Sequence, residues 1–438
     1  MAPTRHQPRH LVVFRTRSRH TFSFAPAAVF DLPLLELQAL APEAMLTAAS
    51  EDLQCVWATG LAQAALVRAA RRCILTQSVY AVEADAESVE AVAAAAVPDL
   101  SGSLEVVDLA RPDLSREEAA LLRARAGEAA SRPASGEAPS QVLLLSADGE
   151  RAFIARRLCG GPAGGAGAPS RTPRRPYGGW LGQYALKSRA HLTPTAMEPE
   201  LGFLMANLAR VRRGARVLDP CCGSGGLLLC AAALGEGAVE AVGVDRDAGA
   251  FAGAAANFEQ HGLPPPTFEC GDVLAPSACG DVLAPSAEAL QRPCDAIVCD
   301  PPYGMGAALD AALDAAGGTD RPLGTRQPAG GPAMLRARQR GTDSFVAALL
   351  LLASGLLQPG GRAVLFVPTF GARTEASLPS VLEPLLPPPP AALRVVDARR
   401  QSFSPTFARW LLCVEQGGGG SGRNDEVALQ GSDCGAGG

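Results

Sequence analysis

The sequence after residue 177 predicts an α/β fold built on a seven-stranded, mainly parallel sheet. Short and almost uninterrupted apolar runs recur there, helix-capable segments separate them, and the first four runs each end in aspartate. Such runs are typical of parallel strands that are buried on both faces. Because ligands of doubly wound sheets bind beyond the carboxyl ends of the strands, we expect the functional residues at those ends.

The strands follow from these runs in chain order. The last two runs flank a Ser/Pro turn and predict an antiparallel hairpin at the sheet edge. The seven predicted strands are 215–219, 239–245, 267–272, 295–300, 362–368, 393–401 and 408–416. The apolar run Phe345–Leu357 is shorter than the roughly 18 residues that a bilayer-spanning helix needs, so it predicts a buried helix and no membrane span.

Breaks in composition divide the chain. The Gly/Pro-rich segment 159–176 predicts a linker, and the glycine-rich tail 417–438 is expected to be disordered. The segment 177–416 between them is the predicted α/β domain. A further break at 304–341 follows the fourth strand directly and is either a lid or a surface insertion. Before the linker, residues 8–158 predict a smaller α+β domain.

The elements of that first domain are predicted from alternating strand-like and helix-like segments. They are a strand at 11–14, a helix at 61–72, a strand at 104–109 and a hairpin at 142–158. The first 20 residues carry Arg but no acid, as organelle transit peptides do. The strand predicted within them favours a cytoplasmic protein instead.

Composition excludes several classes of protein. The chain has 438 residues and a formal net charge of −5, which argues against a protein that coats nucleic acid by bulk charge. A local basic patch is compatible with that charge. The 12 Cys include no Cys-x-x-Cys pair and only 5 His accompany them, so neither a zinc site nor a disulfide framework is predicted.

The first predicted strand ends in a glycine-rich loop, which runs from Asp219 through Gly223, Ser224 and Gly225 to Gly226. Glycines let the backbone approach a ligand closely. The loop lacks the Gly-x-Gly-x-x-Gly spacing of dinucleotide-binding loops. A carboxylate at its start would repel pyrophosphate but suits a cation, such as the amino group of an amino acid. Taken alone, the loop is also compatible with a plain strand-turn-helix junction.

Acids end the next two strands as well. Asp245 is placed to accept hydrogen bonds from ribose hydroxyls, and a helix N-cap is the alternative. Asp272 can accept a hydrogen bond from the exocyclic amine of adenine. The sequence CGDVLAPSA occurs twice in tandem, at 270–278 and 279–287, so Asp281 repeats Asp272. Asp272 is preferred because it directly follows a predicted strand.

The fourth strand ends in Asp300-Pro301-Pro302-Tyr303, the most specific motif of the chain. Two consecutive prolines remove two backbone donors and hold an extended turn. The Asp300 carboxylate and the Pro301 carbonyl can therefore accept hydrogen bonds from one amino group. The Tyr303 ring offers a face on which a planar base can stack.

Together these strand ends resemble the class I S-adenosylmethionine-dependent methyltransferases, which have a Rossmann-like fold, and among them the group that methylates exocyclic amino nitrogens of bases. The segments Tyr184–Arg189, Pro194–Glu200 and Met205–Asn207 resemble the tRNA guanosine-10 N2-methyltransferase family. That family pairs its catalytic domain with a THUMP-type RNA-binding region. The resemblance covers most of 177–304 and the last hairpin, and it is weak over 8–158.

The resemblance implies roles for the strand-end residues. Asp219, with the loop at Gly223, Ser224 and Gly225, would hold the methionine end of S-adenosylmethionine. Asp245 would bind its ribose, and Asp272 would bind its adenine. Asp300 and Pro301 would accept the N–H hydrogens of guanine N2, localise its lone pair and aim it at the methyl group. Tyr303, after Pro302 in the turn, would stack on a base that has left its helix. No metal is implied.

The resemblance also implies tRNA as a partner, held through phosphate contacts that position it without reading its sequence. The candidate contacts are Arg171, Arg174, Arg175, Lys187 and Arg189, and a solvated linker is the alternative reading of this stretch. A small zinc-binding adaptor protein is suggested by eukaryotic members of the family. Two other functions stay open: methylation of guanine N2 in ribosomal RNA or of adenine N6 in DNA or RNA, and noncatalytic RNA binding by a retained methyltransferase fold.

Overall fold

The described part of the chain folds around two sheets of seven strands each, one in each half of the sequence. The computed structural model describes residues 9–15, 26–49, 55–89, 91–92, 104–109, 116–125, 141–146, 151–162, 179–193, 196–272, 292–303, 332–387 and 393–417. Within these ranges, the α/β architecture predicted for the second half and a mixed α+β architecture for the first half are both present.

The first sheet is mostly antiparallel and has the strand order β2-β3-β1-β4-β7-β6-β5. Only β5 and β6 pair in parallel among its described strands. Its strands are β1 (Arg9–Phe14), β2 (Met45–Ala48), β3 (Cys55–Thr59), β4 (Thr76–Ala86), β5 (Leu104–Asp108), β6 (Gln141–Leu145) and β7 (Ala152–Gly160). Its helices are α1 (Pro26–Leu40), α2 (Gln63–Arg72) and α3 (Arg116–Arg125). The first domain therefore has as many sheet strands as the second, more than the sequence predicted.

The expected start of the linker at residue 159 is wrong. β7 continues to Gly160, where it pairs with Ser78, and the buried Cys159 pairs with Val79. The Gly161 N–H then donates to the Gln77 carbonyl at 2.8 Å. Backbone pairing and burial extend the strand into residues whose composition resembles a linker. The rest of the predicted linker, from 163 to 176, lies outside the described residues.

The second sheet confirms all seven predicted strands. Its order is β10-β9-β8-β11-β12-β14-β13. β8 to β12 pair in parallel, whereas β14 pairs antiparallel with both β12 and β13, as the predicted hairpin requires. The strands are β8 (Arg216–Asp219), β9 (Glu240–Asp245), β10 (Thr267–Cys270), β11 (Cys294–Cys299), β12 (Leu357–Phe370), β13 (Leu393–Ser404) and β14 (Phe407–Gln416).

Helices cover both faces of this sheet and bury its apolar strands. Along the described chain they are α4 (Pro199–Leu208), α5 (Gly226–Leu234), α6 (Ala248–Phe251), α7 (Ala255–Glu259), α8 (Pro332–Leu356) and α9 (Leu378–Leu382). α4 and α5 pack on one face, and α8 packs on the other. α8 contains residues 345–356 of the predicted buried helix Phe345–Leu357, whose last residue begins β12. α8 also contains the end of the segment 304–341, so that segment is not an insertion over 332–341. Residues 304–331 lie outside the described part of the chain.

The described helices include none that is long and apolar enough to cross a bilayer. This observation concerns only the ranges given above.

A buried polar cluster joins the two halves of the molecule. Glu36 of α1 is fully buried and accepts hydrogen bonds from the backbone N–H groups of Ile74 and Leu75, at 2.8 and 2.9 Å. It also accepts from Asn207 Nδ2 of α4, at 2.6 Å. Arg72 Nε donates to Asn207 Oδ1 at 2.8 Å. Each buried donor in this contact therefore has an acceptor, and α4 is tied to the first domain.

Glu36→Ala is expected to destabilise the protein. It removes the acceptor of three hydrogen bonds, and each buried donor left unsatisfied costs about 1–3 kcal/mol. We expect the free energy of unfolding in urea titrations to fall by at least ~2 kcal/mol. Gln38→Ala, an exposed change on the same helix, is the matched control and should leave stability unchanged. Equal stability of both variants would contradict the role given to Glu36.

Stability should also depend on pH through Glu36. Burial raises the pKa of this carboxyl from its ordinary value of 4.5 to about 7, partly offset by the hydrogen bonds from Leu75, Asn207 and Ile74. Between those pH values the native state holds a proton that the unfolded chain has released, so the free energy of unfolding falls as the pH rises through this window. Subtracting the pH series of Glu36→Ala from that of the unmodified chain should reveal this slope.

Candidate active site

Four aspartates lie at the same edge of the second sheet. Asp219 and Asp245 are the last residues of β8 and β9, Asp300 directly follows β11, and Asp272 lies two residues beyond β10. These four strands are neighbours in the order β10-β9-β8-β11 and run in parallel, so their carboxyl ends meet. The arrangement expected from the sequence is present for all four residues.

The charges of two of these acids act on the carboxyl of a third, Asp219. Asp219 is buried, and burial is the largest cause that raises its pKa well above the ordinary value. The negative charges of Asp245 and Asp300 raise the pKa of Asp219 further, against the hydrogen bond from the Cys221 N–H. A cation bound beside Asp219 would offset this unfavourable burial of charge.

Backbone hydrogen bonds hold the glycine-rich loop against two of the acids. The Cys221 N–H donates to Asp219 Oδ1 at 3.0 Å, and the Gly223 N–H donates to Asp245 Oδ2 at 2.9 Å. Gly223 and Gly225 have φ values of 49° and 75°, in the left-handed region that glycine adopts without strain. A Cβ at Gly225 would meet the Phe268 ring at 3.2 Å. The loop therefore requires glycine for its conformation and for space.

The structure overturns the helix-cap alternative for Asp245. Asp247, two residues later, is the N-cap of α6, and its side chain accepts from the Gly249 N–H at 2.9 Å. Asp245 instead accepts from the backbone of Gly223 and of Asp247. Each carboxylate oxygen has a further lone pair, so the side chain can still accept hydrogen bonds from a diol.

The remaining candidate cofactor contacts, Ser224 in the loop and Asp272 for the adenine, differ in accessibility. Asp272 is exposed, whereas its repeat Asp281 lies outside the described residues. Ser224 is buried, and its hydroxyl accepts from Thr193 Oγ1 at 3.4 Å. Its side chain therefore faces the segment before α4, and a ligand would meet its backbone instead. Asn257, which sequence reasoning missed, donates to the Ser224 carbonyl at 3.5 Å.

Asp300 lies in a hydrogen-bonded group with Tyr303 and Arg409. Tyr303 Oη donates to Asp300 Oδ1 at 2.5 Å, and Arg409 Nη1 donates to Tyr303 Oη. Arg409 Nη1 also lies 3.6 Å from Asp300 Oδ1. Burial raises the pKa of Asp300, while the charge of Arg409 and the hydrogen bond from Tyr303 act to lower it. The pKa of Asp300 thus depends on three causes that act against one another: burial, the charge of Arg409 and the hydrogen bond from Tyr303.

Sequence reasoning missed Arg409, which is buried in β14. The available signal was a lone arginine inside the apolar strand ARWLLCV, where an unpaired charge is unfavourable. It also missed Phe407, which lies beside Tyr303, and Phe370 and Phe403, which stack on Phe407. The Phe403 and Phe407 rings stack at 5.1 Å, and Phe407 lies 5.7 Å from the Tyr303 ring. Phe403 is 43% exposed and extends an aromatic surface outward from the motif.

The candidate RNA contacts have different outcomes. Lys187 is exposed, and its contact with RNA stays a prediction. Arg189 does not fit that prediction, because its side chain is buried and its guanidinium lies beside the start of α5, where a Cβ on Gly226 would meet Nη1 at 2.8 Å. The other three arginines, Arg171, Arg174 and Arg175, lie outside the described residues.

The described residues include no group of three His, Cys, Asp or Glu side chains placed to hold a metal ion. The residues present do fit S-adenosylmethionine. Its ammonium group would meet the buried Asp219, its ribose hydroxyls would meet Asp245, and the loop at Gly223 leaves the backbone open to close approach.

Gly225→Ala should weaken S-adenosylmethionine binding. A side chain at φ 75° costs about 1–2 kcal/mol, and the added Cβ meets Phe268 in the loop. Gly262→Ala is the matched control, since Gly262 has φ 64° but open space around it. Both variants should lose stability in urea titrations, but only Gly225→Ala should lower the affinity measured by calorimetry. Equal cofactor affinities would show that the loop does not contact the cofactor.

Part of the chain that carries this site is similar to known proteins. Residues 187–315 match the family described as RMKL-like, methyltransferase domain. A tRNA (guanine(10)-N2)-dimethyltransferase of Methanocaldococcus jannaschii is 35% identical over 130 residues, which are 29% of this chain and 35% of the relative. The tRNA (guanine(10)-N(2))-methyltransferase TRMT11 of Mus musculus is 28% identical over 277 residues, 57% of this chain and 55% of the relative. The chain thus spans about a third to a half of the length of these relatives.

Among solved structures, TrmN from Thermus thermophilus aligns with a TM-score of 0.42 and 20% identity, over 93% of this chain and 99% of that one. Residues 187–315, which carry the four acids, thus match a methyltransferase-domain family model, and their strands belong to the seven-stranded, mainly parallel second sheet.

Proposed function

We propose that this protein transfers the methyl group of S-adenosylmethionine to the exocyclic N2 of a guanosine in tRNA, at position 10. The observation that carries the proposal is the position of Asp300-Pro301-Pro302-Tyr303 at the end of β11, at the same edge as Asp219 and Asp245. An amine acceptor site and a cofactor site then share one edge of the sheet. The names of the curated relatives support guanine N2 of tRNA as the acceptor.

The cofactor would be bound by the acids and the loop. Asp219 would hold its ammonium group, and the loop at Gly223, Ser224 and Gly225 would approach the methionine end through its backbone. Asp245 would accept hydrogen bonds from the ribose hydroxyls. The exposed Asp272, two residues beyond β10, would accept from the adenine amine. The cofactor supplies an electrophilic methyl group on a sulfonium.

The chain's own residues would prepare the nucleophile. The lone pair of guanine N2 is delocalised into the ring, so the nitrogen attacks poorly on its own. Asp300 and the Pro301 carbonyl would accept its two N–H hydrogens, localise the lone pair and aim it at the methyl group. Asp300 would accept the proton that the nitrogen releases when it takes up the methyl group from the sulfonium. The aromatic surface of Tyr303 and Phe403 would contact the flipped nucleotide.

The first domain would hold the RNA. We propose that the described sheet within 9–162 is the RNA-binding region and that 179–417 is the catalytic region. Lys187, exposed near their junction, would contact a phosphate. The proposal also includes a small zinc-binding adaptor protein as a partner and the cytoplasm as the compartment.

The test is methylation of defined RNAs with labelled cofactor, followed by mass spectrometry of the nucleosides. We expect the label on N2 of guanosine in tRNA. A label on adenine N6 would contradict the proposed acceptor, and a protein that binds RNA but has no affinity for S-adenosylmethionine would contradict an enzymatic function.

Two substitutions should separate chemistry from cofactor binding. Asp300→Ala should abolish turnover and leave cofactor affinity largely intact, because Asp300 contacts the base. Asp245→Ala should weaken cofactor binding by ~1.5–3 kcal/mol through lost charged hydrogen bonds. Calorimetric titration and single-turnover assays measure the two effects. If both variants lost cofactor affinity equally, the division of roles would be wrong.

The tandem repeat can be resolved in the same way. Asp272→Ala should weaken cofactor binding, and Asp281→Ala should leave it unchanged, because Asp272 follows β10 at the edge shared with Asp245. The opposite result in the same titration would place the adenine contact in the second copy of the repeat.

A further inference from the structure

We propose that Arg409 is a positioning residue, which keeps the Asp300 carboxylate ionised and turns its second oxygen toward the amine of the substrate. This inference rests on the proposed function for its substrate. It goes beyond the proposed function by assigning a role to a residue on β14, far along the chain from the Asp300 motif.

The Arg409 guanidinium is held in one orientation by its surroundings. Its Nε donates to Gln401 Oε1 on the neighbouring strand β13, at 2.7 Å. Its Cζ lies 3.6 Å from the centroid of the Phe366 ring, a cation–π contact. The Arg409 side chain is only 9% exposed. A buried, planar group with contacts in its plane and against its face has little freedom to turn, so the direction of Nη1 is set by the fold.

Nη1 is directed at the motif after β11. It donates to Tyr303 Oη and lies 3.6 Å from Asp300 Oδ1. Because the Tyr303 hydroxyl accepts from Arg409, its own hydrogen is left for Asp300 Oδ1, to which it donates at 2.5 Å. Oδ1 is thereby occupied. Within the described part of the chain Oδ2 makes no hydrogen bond, and the Asp300 side chain is 23% exposed. Oδ2 is the oxygen that can meet a substrate amine.

The reaction needs Asp300 in its charged form. A protonated carboxyl cannot take a proton from guanine N2, and it accepts N–H hydrogen bonds less well than a carboxylate does. The groups that face Asp300 are Asp219 from the end of β8, the thiols of Cys221 and Cys299, and its partners Tyr303 and Arg409.

Arg409 is the cation among those groups. Burial favours protonated Asp300, and neither thiol carries a positive charge that could oppose it. An opposite charge within about 4–6 Å lowers the pKa of an aspartate by roughly 1–3 units. Without the guanidinium, Asp300 would therefore hold its proton to a higher pH.

A purely structural role is the alternative. Arg409 packs on Phe366 and bonds to Gln401, so its loss could simply loosen the hairpin of β13 and β14. Such loosening would lower activity by the same factor at every pH. A change in the pH dependence separates the two roles.

The experiment compares Arg409→Met, Arg409→Lys and Arg394→Met in the full chain. Arg394→Met is the matched control, because Arg394 lies on the same hairpin but is 54% exposed and pairs with Glu415. For each variant we measure kcat against pH with tRNA, the affinity for S-adenosylmethionine, and the 13Cζ NMR signals of labelled tyrosine. The chain has only 4 Tyr, and Tyr303→Phe identifies the Tyr303 signal.

In Arg409→Met, the acid limb of the kcat profile and the acid titration of the Tyr303 signal should both move to higher pH by about one unit or more. Cofactor affinity should stay unchanged. Arg409→Lys, which keeps the charge but not the forked geometry, should show a smaller shift, and Arg394→Met should show none.

The inference is overturned if the kcat–pH profile of Arg409→Met differs from that of the unmodified chain only by a constant factor. It is also overturned if the acid titration of the Tyr303 signal does not shift. If Arg409→Met does not fold, Tyr303→Phe and Arg409→Lys decide the question: a kcat profile unmoved in both overturns the inference. If the unmodified chain methylates no guanine in tRNA, the proposed function fails, but the Tyr303 titration still decides whether Arg409 controls the ionisation of Asp300.

Discussion

Parallel pairing of β8, β9, β10 and β11 is the constraint on which the rest of the site depends. Parallel strands end at the same edge of a sheet, so acids that are far apart in the chain meet where their strands stop. Asp245 and Asp300 thereby come close enough to Asp219 for their charges to raise its pKa. The same pairing brings the glycine-rich loop after β8 onto Asp245, through the Gly223 N–H.

Gathering carboxylates in one partly buried place is unfavourable unless other groups compensate. Backbone N–H groups do so for Asp219 and Asp245. Asp300 is compensated differently, by the hydroxyl of Tyr303 and the charge of Arg409. The difference matches the roles proposed above, in which Asp219 and Asp245 bind the cofactor through fixed hydrogen bonds and Asp300 accepts a proton.

The two halves of the molecule meet at α4, which also precedes β8. Asn207 of α4 bonds to Glu36 and to Arg72, both from the first domain. The hydrophobic cluster around α4 and α5 includes Ile74 and Leu75 of that domain. A domain held in this way to the helix before the glycine-rich loop has a defined position relative to the edge that carries the four acids, as the proposed placement of RNA requires.

Local sequence was sufficient to predict the seven strands of the second sheet, the acids at the ends of the first four and the motif after β11. Each of these features is defined by residues that lie within a few positions of one another in the chain. Only the tertiary structure identified Arg409, since its partner Tyr303 reaches it through the pairing of β12 with β14. It also showed that Cys159 belongs to a strand and that Arg189 is buried. Composition reports what a segment can do alone, whereas burial and pairing are decided by residues distant in the chain.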